Sequence, residues 1–170
     1  CQTHTGQPFD KDGAWAASGQ VHAGLLARLL GEDFLSRTPP KSTGRDLFNP
    51  AWLARHLDAF TGLAAVDVQA TLTEFTAQAC ALDVQRFAAK ARRLIVCGGG
   101  ALNGQLMRRL SELLPGVAVV SSDTQGLPPL QVEAAAFAWL AFKTLRRETA
   151  SLKSVTGARG ARVLGAVYPA

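Results

Sequence analysis

Three consecutive glycines, Gly98, Gly99 and Gly100, follow the apolar run Leu94-Ile95-Val96-Cys97 and lead into the amphipathic stretch from Asn103 to Leu114. Glycine has no Cβ and reaches positive φ, so main chain can approach a ligand closely there, and the N–H groups at a helix start attract an anion. The chemistry such a turn supports is recognition of a phosphate or nucleotide by backbone. A tight strand-to-helix turn without a ligand has the same spacing, so the glycines alone leave both readings open.

Other polar residues could join such a site. The loop Lys41-Ser42-Thr43-Gly44-Arg45 is dense in hydroxyls and cations and suits an anion or a hydroxylated ligand, although surface loops are polar for simpler reasons too. Asp10 and Asp12 precede Ala14-Trp15-Ala16-Ala17-Ser18, where capping of a helix accounts for them; as a pair they could also face a metal. Glu133 is the lone acid of the otherwise apolar stretch Val132 to Leu145. A helix apolar on nearly every side is expected to be buried, so its single carboxylate must face water, the helix dipole or a ligand cavity.

The elements that must hold these residues follow from periodicity. A strand over Leu94–Cys97, a helix over Asn103–Leu114, a stop at Pro115-Gly116 and a second strand over Val117–Ser121 make a βαβ unit. Its strands are parallel, so the glycine turn and the loop Ser121-Ser122-Asp123-Thr124-Gln125-Gly126 leave the sheet at one edge, where α/β proteins bind ligands. The last long helix, Val132 to Leu145, starts beside that edge and brings Glu133 with it.

Upstream, Val21, Leu25, Leu26, Leu29 and Leu30 have helical spacing with Gly31 as a stop, and Pro50 suits the first position of a short helix ending at Leu57. A long helix beginning near Val66 carries the apolar stripe Val68, Leu72, Phe75, Ala79, Leu82 and Phe87 and ends near Lys90-Ala91-Arg92-Arg93. Past Leu152 the chain turns irregular, and its apolar end, Val163 to Pro169, is expected to dock as an extended segment.

Composition narrows the function classes. A chain of 170 residues with 48% hydrophobic residues is one domain's worth of packed globular protein. No window approaches the length of a membrane helix and the start lacks a signal-peptide layout, so a cytoplasmic location is expected. Cys1, Cys80 and Cys97 are odd in number and widely spaced, which fits neither a disulfide framework nor a zinc site; buried free thiols and no metal centre are expected. His4, His22 and His56 are scattered and read as surface or structural. The net charge of +5 comes from short clusters such as Arg108-Arg109 and Arg146-Arg147, several of them suited to helix ends, without the interleaved aromatics of a nucleic-acid reader. The chain opens on Cys1 rather than Met, in a turn-like segment, and reads as cut from something longer.

Taken in order, His4-Thr5-Gly6-Gln7-Pro8-Phe9-Asp10 through Gly19, Lys41 to Arg45, Asp67 to Leu72, Cys97 to Asn103, Glu133 to Ala141 and Leu164 to Pro169 resemble the anhydro-N-acetylmuramic acid kinase family, over essentially the whole chain. The resemblance implies an α/β, ribonuclease-H-like (actin-like ATPase) lobe with a mixed sheet and helices on both faces. It implies the C-terminal lobe and closing tail of a two-lobe kinase, residues 1–170, with the N-terminal lobe absent. The implied reaction transfers the γ-phosphoryl of ATP, with Mg2+, to the six-hydroxyl of 1,6-anhydro-N-acetylmuramic acid while water opens the anhydro bridge, in cell-wall recycling.

By the same resemblance Gly98, Gly99, Gly100 and Asn103 face the nucleotide, and Glu133, Lys41 and Arg45 shape the sugar or nucleotide side of the cleft. No catalytic residue is assigned: the family's aspartate motif belongs upstream of Cys1, and Asp10, Asp12 and Asp123 are not promoted to that role. The chain alone is then expected to be catalytically silent and, with the surface that met the other lobe exposed, to form a homodimer or be poorly soluble. The competing expectations are a non-catalytic nucleotide- or metabolite-binding or assembly module and, last, a basic nucleic-acid-binding domain.

Overall fold

Helix boundaries follow the side chains available to cap them. His22 Nδ1 accepts the Leu25 N–H at the start of α3 (Ala23–Leu30), and Gly31 closes that helix. Asn49 Oδ1 accepts the Trp52 N–H at the start of α5 (Pro50–Leu57), with Pro50 in the first turn, where a missing N–H costs nothing. The computed structural model describes residues 1–168, so the expected docking of Pro169 lies outside the described residues. Short helices α1 (Gln2–Thr5), α2 (Ala14–Ser18) and α4 (Asp33–Ser36) complete the first third, and the 23-residue α6 (Ala65–Phe87) spans the molecule behind them.

The core forms where α3, α5 and α6 meet: Leu25, Leu29, Trp52 and Phe75 are buried together. Phe48 sets its ring edge-on to Trp52, with centroids 5.1 Å apart, and Trp52 Nε1 donates to Glu32 Oε2 at 2.8 Å, so the indole is buried with its polar atom satisfied. Helix α6 departs from the single stripe expected of it. Phe75 is buried and Val68 and Leu72 pack on the core, but Leu82 and Phe87 are exposed, while Ala70, Thr71, Glu74, Ala77 and Ala81 are buried. A second, small-residue face of α6 is therefore covered, by α2 and by α7 (Gly104–Leu113). Small side chains let those helices approach closely, which a search for large apolar residues overlooks.

Strands β1 (Arg93–Val96) and β2 (Ala118–Ser121) pair in parallel with Val96 opposite Ser121, and α7 makes the crossover between them. The expected βαβ unit is present within a residue at each boundary. Among the described residues the sheet stops at these two strands, smaller than the mixed sheet expected, because no third segment pairs with either edge. One face is covered: Leu94 and Val96 are half-buried, whereas Ile95 between them is 48% exposed.

Helix α8 (Val132–Leu145) has the expected bounds but not the expected burial. None of its residues is buried, and Phe137, Trp139, Phe142 and Leu145 are between 50% and 73% exposed. Its composition asks for a cover that the described residues do not supply. Beyond it the short α9 (Lys153–Thr156) interrupts the irregular tail, the Ala150 N–H donates to the Arg162 carbonyl, and the Thr144 hydroxyl donates to the Leu164 carbonyl; Val167 and Tyr168 are exposed. The tail thus docks only in part. Cys80 and Cys97 are exposed and Cys1 half-buried, contrary to the burial expected of three free thiols. The histidines are structural as expected at two positions: His22 caps α3, and His56 Nδ1 lies 2.8 Å from the Trp52 carbonyl.

Candidate functional site: the glycine turn at the sheet edge

Because β1 and β2 run parallel and end in register, the turns at their carboxyl ends emerge side by side. Behind β1, Gly98 adopts φ 71° and ψ −165°, a conformation essentially reserved for glycine. Its N–H donates to the Pro129 carbonyl at 3.0 Å, and Gly99–Leu102 then form a 3-10 turn. A Cβ placed on Gly98 or Gly99 meets no atom within 4 Å, so the space beside both residues is open. Behind β2, Ser122–Gln125 form another 3-10 turn that carries Asp123 exposed, its carboxylate turned onto the Thr124 N–H. Pro129 leads within one short turn into α8, whose first turn holds Glu133, exposed as well. The edge therefore gathers Gly98–Gly100, Asp123 and the start of α8.

Asn103 sits at the junction of this turn with α7, in a role the sequence did not disclose. Its Oδ1 accepts the Leu106 N–H at 2.9 Å and caps the helix, while the Gly104 N–H donates to Asp12 Oδ1 at 2.9 Å. Two N–H groups at the start of α7 are therefore satisfied within the chain, so the anion expected there has less to bind than free helix geometry offers. The backbone of Gly98 and Gly99 faces open space instead, and the Asn103 N–H donates to the Gly100 carbonyl at 3.1 Å.

Asp10 resolves in favour of capping: its two oxygens accept the Trp15 and Ala16 N–H groups, each at 2.9 Å. With Asp12 on Gly104, neither acid turns toward a metal, and among the described residues no group of three or more His, Cys, Asp or Glu could hold one.

Lys41 and Arg45 are not brought to the glycine turn. The Lys41 ammonium lies 2.8 Å from Asp83 Oδ2, donates to the Leu35 carbonyl and sits over the Phe34 and Phe87 rings, so it ties its loop to the far half of α6. That half lies beside the C-terminal end of α7, where Gln85 Nε2 donates to the Leu113 carbonyl, whereas the glycines precede the N-terminal end. Arg45 is exposed in the same loop. A large apolar cavity of about 930 Å³, lined by Trp15, Phe34, Trp52, Leu72 and Phe75 among others, also lies on this helical side and includes none of the glycine-turn residues.

Two features were not legible beforehand. Glu74, 6% exposed, receives Arg109 in a bidentate pair, Nε to Oε2 at 2.7 Å and Nη2 to Oε1 at 2.9 Å, and Gln78 donates to the same carboxylate. The Arg109 hydrogen bonds hold the Glu74 carboxyl below the usual glutamate range against the opposing effect of burial, with Gln78 assisting, and Glu74 in turn raises the guanidinium. This pair fixes α7, and with it the glycine turn, against α6. The other feature is the hydroxyls of Ser121 and Ser122, which are buried at the end of β2 without a hydrogen-bond partner among the described residues, an unusual condition that invites a water or ligand. A signal for the ion pair existed in the basic clusters: Arg108-Arg109 falls inside α7 rather than at its end, where the helix dipole does not explain it.

A parallel βαβ unit with an open glycine turn at its carboxyl edge makes this an α/β protein whose main chain is exposed at the edge where such proteins bind ligands. The family model described as anhydro-N-acetylmuramic acid kinase matches residues 1–170. Relatives bearing that name include one from Variovorax paradoxus, 66% identical over 99% of this chain, one from Albidiferax ferrireducens, 62% identical over 100%, and one from Ralstonia nicotianae, 51% identical over 98%. The chain belongs to the anhydro-N-acetylmuramic acid kinase family. It spans a little under half of the length of these relatives, 45%, 44% and 44% respectively.

Proposed function

We propose that these residues are the C-terminal lobe of an ATP-dependent sugar kinase that phosphorylates 1,6-anhydro-N-acetylmuramic acid with hydrolytic opening of the anhydro ring, in peptidoglycan recycling in the bacterial cytoplasm. The observation that carries this reading is the glycine turn with open space beside Gly98 and Gly99, in a chain that matches the kinase family along its whole length. In this reading the lobe is ribonuclease-H-like, and β1, α7 and β2 are part of a larger mixed sheet. No helix among the described residues is long and apolar enough to cross a membrane.

Open space where a Cβ would stand fits a nucleotide laid against main chain. The backbone of Gly98–Gly100 and the Asn103 amide hold ATP, and Glu133 lines the same edge. Bound ATP supplies the phosphoryl group, and Mg2+ comes with its phosphates rather than from a cage in this chain. Phosphoryl transfer depends mainly on positioning and charge stabilisation, and the contribution of these residues is positioning. Arg45 is the cation of its loop left to reach a sugar, with Lys41 holding that loop in place. The catalytic carboxylate and the first phosphate loop are supplied from outside residues 1–170.

The test is phosphate transfer from ATP to the anhydro sugar with Mg2+, comparing the full-length parent with the 170-residue chain. Activity in the parent and silence in the chain is the expected result; a parent that binds ATP and leaves this sugar untouched removes the substrate assignment. The bare aromatic face of α8 further supports self-association of the chain as a homodimer. Sedimentation of the chain is expected to show a dimer or larger species, and a stable monomer overturns that part of the reading.

A further inference from the structure

Asp12 stands in the left-handed region at φ 58° and ψ 10°, and Gly13 follows it at φ 69°. A residue with a Cβ is strained in that region, and aspartate enters it at lower cost than most because its short carboxylate can find a hydrogen-bond partner. Capping of the adjacent helix is not the reason, because Asp10 already takes the Trp15 and Ala16 N–H groups of α2. The Asp12 carboxylate instead reaches 92 residues along the chain to the Gly104 N–H at 2.9 Å.

The fit around that hydrogen bond is reciprocal. A Cβ on Gly13 would lie 2.2 Å from Asn103 Oδ1 and 2.6 Å from Gln105 Cβ, and a Cβ on Gly104 would lie 2.5 Å from Asp12 Oδ1. Both glycines are required by close approach, one on each side of the contact. From there the path into the glycine turn is short: Asn103 precedes Gly104, and its N–H donates to the Gly100 carbonyl at 3.1 Å.

We propose that the Asp10–Gly13 turn positions the glycine turn for nucleotide binding, with Asp12 as the positioning residue acting through the Gly104 amide; this rests on the nucleotide reading of Gly98–Gly100. Asp12 touches no nucleotide. It sets where α7 begins, and so where Asn103 and the Gly98–Gly99 backbone lie.

The experiment compares Asp12→Asn and Asp12→Gly in the full chain, titrating ADP by calorimetry and following backbone amide hydrogen exchange. Asparagine keeps an acceptor oxygen and tolerates the left-handed region, so Asp12→Asn is expected to bind ADP within about threefold of the parent. Glycine relieves the backbone but removes the acceptor, so Asp12→Gly is expected to weaken ADP by about tenfold, the scale of a hydrogen bond to a charged group. Its amides from Gly98 to Leu102 exchange faster while those in the middle of α6 keep the parent's protection, a local pattern that a general loss of stability does not produce. Parent-like affinity and protection in Asp12→Gly overturn the proposal. If the parent itself does not bind ADP, the nucleotide reading fails by itself and exchange decides the rest: faster exchange confined to the turn upholds the positioning role, and unchanged exchange overturns it.

Discussion

Arg109→Ala lowers the unfolding free energy by about 3 kcal/mol, the low end of the cost of stranding one partner of a buried ion pair. The low end applies because the guanidinium is 27% exposed while its partner Glu74 is 7% exposed at the side chain. Gln78 still donates to the abandoned carboxylate, but no cation remains to balance it in a bidentate pair. Urea unfolding of the variant and the parent at neutral pH measures the difference, and a loss below about 0.5 kcal/mol, the size of an ordinary surface change, sinks the argument.

The same pair has a pH signature. Arg109 first, and Gln78 after it, keep the native Glu74 carboxyl below its ordinary value of about 4.5. A depressed native pKa means that the unfolded chain binds the proton more readily, so the contribution is complete above that ordinary value and disappears as pH falls through the native one. Glu74→Gln should therefore differ most from the parent at neutral pH and converge on it in acid. A difference that grows on acidification assigns the stabilisation elsewhere.

On the proposed nucleotide reading of the glycine turn, Gly98→Val is expected to abolish nucleotide binding within the measurable range, a loss of at least about 100-fold on the affinity scale. Two effects add. Valine at positive φ is a steric outlier worth about 1–3 kcal/mol of strain, and the native φ of 71° leaves no relaxed alternative that keeps the N–H on the Pro129 carbonyl. Its side chain also projects into the open space that the nucleotide would occupy. Gly98→Ala separates the two, since its methyl meets no protein atom and reports backbone strain with little added bulk. ADP titration of a folded Gly98→Val chain is the measurement, and parent-like affinity there removes the glycine turn from the nucleotide site.

Legibility in the sequence depended on how many residues carried each signal. The βαβ unit and α8 were legible within a residue because apolar periodicity, the three glycines and the Pro115-Gly116 stop all agree over long windows. The four-residue helices α1, α4 and α9 escaped because they span barely one turn, too few for a period to show. Burial of α8 was misjudged for a different reason: composition states what a helix needs, not which polypeptide provides it. At the site, the glycine turn was visible because its residue types are themselves the signal. Its supports were not, since Asp12 with Gly104 and Glu74 with Arg109 are distant in sequence and become partners only through the packing of α7. Lys41 shows the converse hazard, a cation in a hydroxyl-rich loop whose charge is spent on Asp83.

The hydrogen bond from Gly98 to the Pro129 carbonyl joins two surfaces that otherwise have little in common. Pro129 belongs to the turn that delivers α8, so a coupling between a cover on the aromatic side of α8 and a ligand at the glycine turn would run through that carbonyl. Equilibria joined in this way are reciprocal. A cover on α8 that tightens ligand binding at the turn by some factor must itself be held more tightly, by the same factor, once the ligand is in place. Through that one hydrogen bond, assembly on α8 and occupancy of the turn would be readings of one free energy.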